Sequence, residues 1–188
     1  GKGGPGGDGG AAEAFLFATD ITTGDANDLT VANAHGVIAA SIGGGGGMGG
    51  SATSKAVTIT VPTEEPQVDG EVSLSLGGSG ANAGHGGTVH TILEDSLITT
   101  YSDGSNGLVA LSVGGGGGIG GDAGASGAML TLPATGEDRV AFTVNIGVGG
   151  NAGGGGAGGD VSVELDTGRV VTHGDYANAV HLASIGGG

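Results

Sequence analysis

The stretch SIGGGGGMGG, residues 41–50, returns as SVGGGGGIGG at residues 112–121 and begins again as SIGGG at residues 184–188. The first residues of these three stretches are Ser41, Ser112 and Ser184, so the stretch recurs at a nearly constant spacing. Self-similarity at a fixed spacing is the signature of a repeat architecture. We therefore interpret residues 1–188 as one continuous repeat array, with about two and a half units of about 71 residues, cut as a window from a longer chain.

A second kind of glycine block lies midway between these stretches. LGGSGANAGHGG at residues 76–87 returns one unit later as VGGNAGGGGAGGD at residues 148–160, and GKGGPGGDGG opens the chain. Each unit therefore divides into two half-units of about 35 residues. We predict that each half-unit runs glycine block, strand, turn, strand. The first copy carries about six extra residues between its second strand and residue 37, which indicates an insertion at a turn.

The glycine blocks are predicted to be packed structure and not linkers. Ordering glycine is entropically costly, and a linker has no reason to keep its register from unit to unit. Extended polyglycine adopts a threefold helix without internal hydrogen bonds, and its amides must find partners in neighbouring segments. Met48 and Ile119 are predicted to face an apolar strand layer. The residues assigned this structural role are Ser41, Gly43, Gly44, Gly45, Ser112, Gly114, Gly115, Gly116, Ser184 and Gly186.

The segments between the glycine blocks have strand character, because their apolar residues alternate with a period of two and not 3.6. The predicted fold class is all-β, a β-solenoid or layered β stack with polyglycine II-like segments as one layer. Pro62 and Pro133 each end a strand, where a missing N–H does least harm. VIAASI, LVALSV and VHLASI are predicted to be buried on both faces. The strand segments are 37–42, 57–62, 72–76, 88–92, 108–113, 128–133, 142–146, 161–165 and 180–185, and segments 97–107 and 170–180 each supply a further strand followed by a polar turn.

Composition excludes several functions. The net charge is −15, with 19 acids against Lys2, Lys55, Arg139 and Arg169, which opposes binding to nucleic acid or anionic lipid. The chain has no cysteine, so it has neither disulfides nor thiolate metal sites. No apolar run of about 18 residues that would insert into a membrane is present in the sequence.

No residue set predicts catalysis or a cofactor. The five histidines, which include His90 four residues before Glu94, have no metal-ligand spacing and do not recur from unit to unit. The repeated serines lack the flanking glycines of a nucleophile elbow, so we expect them to bond to backbone. GGAGGDVSV at residues 155–163 overlaps a calcium nonapeptide, but Ser162 stands where that motif needs a large aliphatic residue. Asp160, Glu64, Glu65, Glu137 and Asp138 are therefore only weak calcium candidates.

VVTHGDYANAVHLASIGGG at residues 170–188 resembles the glycine-rich repeats in passenger regions of large bacterial autotransporter adhesins. LITTYSDGSNGLVALSVGGGGG at residues 97–118 matches the same pattern with Ser102 in place of its glycine. The resemblance implies a type V secreted protein, displayed on the bacterial cell surface as an elongated stalk or fibre. Such a segment serves adhesion, biofilm formation or cell–cell contact, and its partners are further copies of itself or continuation of the array.

Two other functions stay open. Glycine-helix bundles with flat threonine faces bind ice, and Thr58, Thr60, Thr99 and Thr100 are present without a long regular ladder. A calcium-binding repeat adhesin is the other alternative. The adhesive target cannot be read from the residues.

Overall fold

A computed structural model describes residues 1–27, 33–60, 68–131 and 140–188. These residues form strands and extended segments, with no helix among them. Each predicted strand segment overlaps an observed strand, whereas Pro62, Pro133, Glu64, Glu65, Glu137 and Asp138 lie outside the described residues. The strands are β1 (Ala12–Phe17), β2 (Asp20–Thr23), β3 (Val37–Ile42), β4 (Ala52–Thr60), β5 (Val68–Leu76), β6 (Val89–Glu94), β7 (Leu97–Thr100), β8 (Leu108–Val113), β9 (Ala123–Thr131), β10 (Val140–Val148), β11 (Val161–Asp166), β12 (Arg169–Thr172) and β13 (Val180–Ile185).

The strands pair in parallel with their counterparts one sequence unit away. The sheets have the orders β1-β6-β11, β2-β7-β12, β3-β8-β13, β4-β9 and β5-β10. Leu108 of β8, for example, lies between Val37 of β3 and Val180 of β13. The predicted all-β class is confirmed in this form, as parallel sheets stacked in layers.

The register also locates the irregularity of the first copy. Thr23 pairs with Thr100, whereas Val37 pairs with Leu108. The sequence separation between paired residues therefore shrinks by about six from the first pair to the second, as an insertion in one repeat requires. The additional residues lie between Thr23 and Val37, where the sequence predicted them.

The chain divides into two compact units, and each contains segments from all the sequence repeats. The two-sheet unit comprises Gly1–Gly4, Gly46–Ala81 and Gly118–Gly153, with the sheets β4-β9 and β5-β10. The three-sheet unit comprises Pro5–Gly45, Asn82–Gly117 and Gly154–Gly188, with the other three sheets.

The three-sheet unit has three strands per copy, whereas the half-unit pattern of glycine block, strand, turn, strand has two; the additional strand lies at the start of segments 97–107 and 170–180, where the sequence also predicts a strand. A sharp corner separates the first two strands at Ala18, Asp95 and Thr167, whose φ angles are 47°, 46° and 55°. A single left-handed residue changes the chain direction without a long loop, which is why no turn-rich stretch marks this corner in the sequence.

The core of the three-sheet unit consists of inward-facing aliphatic side chains. Leu93, Ile98 and Leu108 are fully buried, and shorter side chains such as Ala39 complete the cluster. The prediction that VIAASI is buried on both faces is wrong, because Ile38 is 59% exposed in β3. The edge strand β3 alternates in burial as a half-buried strand does. In the middle strand β8 the consecutive residues Leu108, Val109 and Ala110 are all buried, so the prediction of burial on both faces holds for LVALSV there.

No helix in the described part of the chain has the length and apolar character needed to cross a membrane.

Candidate functional site

The glycine segments of the three-sheet unit are joined by a continuous row of backbone hydrogen bonds. Each bond is 2.8–3.0 Å long and links a segment to a segment of the other kind. The amide N–H groups donate to carbonyls in the order Gly44 to Gly7, Gly84 to Gly44, Gly115 to Gly84, Gly156 to Gly115 and Gly187 to Gly156. The backbone of these blocks therefore finds its partners in other glycine segments, as its lack of internal bonds requires.

The two-sheet unit contains the same arrangement. Gly47 N–H donates to the carbonyl of Gly4, and Gly50 N–H donates to that of Gly1. The donor moves forward by three residues, from Gly47 to Gly50, while the acceptor moves back by three, from Gly4 to Gly1. The two segments therefore run antiparallel, and their hydrogen bonds repeat every three residues. Three residues per turn is the period of an extended threefold helix.

Segments of the same kind are also bonded in parallel. In the three-sheet unit, Ala83 N–H donates to the carbonyl of Gly154 over 2.9 Å, and Gly86 N–H donates to that of Ala157 over 2.8 Å. Positions 83, 84 and 86 thus reach two different neighbouring segments, because a threefold helix directs successive amides to different sides. The result is a packed layer of glycine backbone.

Space, and not backbone conformation, explains why glycine occupies most of these positions. Among the described glycines only Gly24 and Gly104 have positive φ angles. A Cβ at Gly43, Gly114 or Gly115 would instead collide with a carbonyl group of a neighbouring segment. Close approach of backbones, which the hydrogen bonds need, leaves no room for a methyl group there.

The glycine layer also has an open side. A Cβ at Gly45, Gly116 or Gly186 would meet its nearest atom at 3.5, 3.6 and 3.7 Å, which is ordinary contact. Gly44 is intermediate, because its nearest contact would be at 3.1 Å. Of the seven structural glycines predicted from sequence, three therefore have no room for a Cβ, three have room and one is intermediate.

Met48 and Ile119 lie three residues beyond Gly45 and Gly116 and share their outward side. They are 72% and 64% exposed. The prediction that they face an apolar strand layer is wrong. The three-residue period places them on a common side of the extended segment, but that side faces solvent.

Two of the three repeated serines link strands to glycine segments. The Ser41 hydroxyl donates to the carbonyl of Gly10 over 2.6 Å and accepts from Gly87 N–H over 2.8 Å. The Ser112 hydroxyl donates to Gly87 over 2.7 Å and accepts from Gly159 N–H over 2.8 Å. Both serines are buried, so these bonds satisfy groups that water does not reach.

Ser184 occupies the corresponding position in β13 and is exposed. Its pairing with Ser112 in the parallel register shows that the three serines form one row across the sheet. The exposure difference follows from the glycine segments beside the hydroxyl, since Ser41 and Ser112 each bond to two of them; the number of neighbouring strands does not explain it, because β3 and β13 are both edge strands.

Sequence reasoning missed a set of side-chain acceptors along the glycine segments. The carboxylate of Asp8 accepts from the backbone N–H of His85 over 2.7 Å. The ring Nδ1 atom of His85 in turn accepts from the backbone N–H of Ala157 over 2.9 Å. The side-chain oxygen of Asn82 accepts from Gly154 N–H over 2.9 Å. The available signal was the three-residue spacing of Asn82 and His85 within a glycine block, which places both on one side of a threefold helix.

Other histidines make separate contacts with non-histidine residues. His90 Nδ1 lies 2.7 Å from the hydroxyl of Ser162, and the ring of His173 stacks on Tyr101 with 4.6 Å between centroids. His90 and Glu94 share β6, but four residues of strand separate them by about 13 Å. In the described ranges no three His, Cys, Asp or Glu residues come together as a metal site, and Asp160 is exposed.

Comparison with known proteins yields no relatives: no family model, curated protein or solved structure matches this chain.

Proposed function

We propose that the chain is a structural repeat of an extracellular bacterial surface fibre or adhesin stalk, folded as a β-solenoid with a polyglycine II-like layer. It has no enzymatic activity and binds no cofactor. Its partners are further copies of the same unit, whether in one chain or by end-to-end addition. The role is mechanical: to hold an adhesive or cell-contact element away from the cell surface.

The observation that carries this proposal is the parallel register between successive sequence units. The middle strand β6 has a hydrogen-bonded neighbour on each side, and its inward residues Val89 and Leu93 are 1% and 0% exposed. The terminal strand β11 is more exposed along its length. A further unit placed beside β11 would make with β11 the same contacts that β11 makes with β6. Repeat arrays extend in this way, because every unit uses the same interface to its neighbour.

The experiment is to lengthen the array. A variant in which residues 82–153 are duplicated adds one complete unit in register. We expect the particle to lengthen by about 4.8 Å per added unit, the spacing between neighbouring strands, when measured by small-angle X-ray scattering. We also expect a higher melting temperature, because one more unit has neighbours on both sides. An added unit that stays unfolded, or that leaves the particle length unchanged, would contradict the proposal.

Surface display needs a separate test in the organism that makes the protein. Protease added to intact cells should remove the epitopes of this segment while a cytoplasmic protein survives. Epitopes that remain protected until the cells are broken would place the protein inside the cell.

Ice binding is the second candidate, and the packed glycine layer is the observation that favours it. The register places Thr22, Thr99 and Val171 in one row across the sheet β2-β7-β12, so this row has two threonines. The next row has three, Thr23, Thr100 and Thr172, but Thr100 at its centre is fully buried. A thermal-hysteresis measurement on the purified chain decides between the candidates, since a stalk segment has no reason to separate the freezing and melting points of ice.

A further inference from the structure

The sheet β5-β10 of the two-sheet unit presents aliphatic side chains to solvent. In register, Val72 lies beside Val144, Leu74 beside Ile146, and Leu76 beside Val148. Their exposures range from 39% for Val144 to 63% for Val72. We call these six residues the aliphatic face.

The orientation of the face is fixed by the serines that alternate with it. Ser73 and Ser75 are each only 3% exposed. Their hydroxyls donate to the carbonyls of Ser126 over 3.3 Å and Ala52 over 2.7 Å. The strand therefore turns its polar residues inward and its aliphatic residues outward, the reverse of a sheet with one solvated face.

None of the six residues of the aliphatic face belongs to the buried hydrophobic cluster that the structure describes. Every buried hydrophobic residue that the structure describes, from Ala39 to Ala110, belongs to the three-sheet unit. Between the two sheets of the two-sheet unit lie small residues such as Ser75 and Ala52. The aliphatic side chains of the face are exposed, so a partner that covers them would bury apolar surface that the chain itself leaves in water.

We propose that the aliphatic face binds the aliphatic face of a second copy of this chain. This inference holds whether or not the protein belongs to a surface fibre. Residues 72–76 and 143–148 include no charged residue, although the chain as a whole carries a net charge of −15. An uncharged face lets two anionic chains meet without placing carboxylates directly against each other.

The face is also self-complementary. A two-fold axis brings together two identical rows of aliphatic side chains with the same spacing between strands, which gives an isologous interface. Two sheets that meet through aliphatic side chains pack about 10 Å apart, as in a β-sandwich. A partner with a charged surface would leave unpaired charges against the face.

The size of the face limits the strength of association. Six partly exposed aliphatic side chains form a patch of roughly 300–600 Å², whereas stable interfaces bury about 800 Å² per partner. We therefore expect dimers of this chain at about 0.1–1 mM protein, and stronger association in a chain with more units, because each unit adds contacts within one complex.

The first experiment is sedimentation equilibrium over this concentration range. The wild-type chain should shift from monomer to dimer mass, and the double variant Leu74→Thr with Ile146→Thr should stay monomeric, since threonine keeps the strand preference but removes the aliphatic contact. The matched control is Ile38→Thr with Ile42→Thr, two exposed aliphatic residues on β3 that are 59% and 68% exposed. The control should dimerise like the wild type. Circular dichroism verifies that both variants keep their strands.

The second experiment separates face-to-face pairing from end-to-end addition. The chain has no cysteine, so single cysteines can be placed at will. Leu74→Cys, at a position 55% exposed, should give a covalent dimer with a short bis-maleimide, and Ile38→Cys, at a position 59% exposed, should not.

Three results would overturn the proposal: a wild-type chain that stays monomeric to about 1 mM, a threonine variant of the face that associates as the wild type does, or equal cross-linking at both cysteines. A chain that stays monomeric would show that the aliphatic face does not bind a second copy of this chain. The second and third would assign any association to other surfaces.

Discussion

Gly115 and Gly116 are adjacent in the chain, yet a methyl group fits beside only one of them. A Cβ at Gly115 would collide with the carbonyl of Gly44, whereas a Cβ at Gly116 would lie 3.6 Å from its nearest atom. Gly115 also bonds to Gly84 through its N–H and to Gly156 through its carbonyl. Neighbouring positions in one glycine block thus differ in whether the structure has room for a side chain.

We expect Gly115→Ala to lower the free energy of unfolding by about 1–3 kcal/mol, because the added methyl pushes the glycine segments apart. Gly116→Ala should leave stability unchanged or raise it by about 0.4–1 kcal/mol through lower entropy of the unfolded chain. Thermal unfolding of the two variants measures the difference, at roughly 2–4 °C per kcal/mol for a chain of this size. Equal effects would mean that the glycine blocks are not closely packed.

Thr91 and Thr100 are both 0% exposed but differ in the hydrogen bonding of their hydroxyls. The hydroxyl of Thr100 donates to the carbonyl of Ser105 over 2.7 Å, whereas that of Thr91 has no hydrogen-bond partner among the described residues. Thr91→Val should therefore stabilise the protein by about 1 kcal/mol, and Thr100→Val should destabilise it by about 1–3 kcal/mol. Chemical denaturation with constant m-values tests both, and a loss of stability in Thr91→Val would show that its hydroxyl is bonded.

Ser112 and Ser184 test the serine links. Ser112→Ala removes a donor to Gly87 and an acceptor for Gly159 N–H at a buried site, so we expect a loss of about 2–4 kcal/mol. Ser184→Ala changes the same position in the exposed strand β13 and should cost less than about 1 kcal/mol. Calorimetric melting of the two variants provides the comparison. Similar losses would indicate that the hydroxyl acts within its own strand and not as a link between segments.

Divalent metal is expected to be dispensable for folding. The nonapeptide-like stretch ends in Val161, Ser162 and Val163, where the calcium motif requires a large aliphatic residue at the middle position. The melting temperature should stay within about 1 °C on addition of EDTA, and again on addition of excess calcium. A large fall with EDTA that calcium reverses would make the acidic turns ligands and favour a calcium-binding adhesin.

Much of the strand arrangement could be predicted, because the alternation of apolar residues and the spacing of repeated motifs can be read directly from the sequence. Ser41 and Ser112 begin successive copies of one motif in the sequence, and they are also direct partners where β3 pairs with β8. The corner at Ala18 could not be predicted, because a single residue in a left-handed conformation leaves no composition signal.

The glycine layer shows where local patterns stop being informative. The three-residue period predicts that Ile42 and Met48, six residues apart, lie on one side of an extended segment, and both are exposed; the period does not give the direction in which that side faces. Direction depends on which segments surround the helix, and those segments come from distant parts of the chain. The same limit applies to VSLSL, whose alternation is equally compatible with serines or leucines inside.

By itself, the sequence determined the all-β class, the unit length and the positions of the strands and glycine segments, because period-two alternation and repeated spacing are properties of local residues. Only the tertiary structure decided which face of each strand is buried and which glycines have no room for a side chain. Those outcomes depend on backbones from different repeats approaching within hydrogen-bond distance, as Gly84 N–H and the carbonyl of Gly44 do at 2.8 Å.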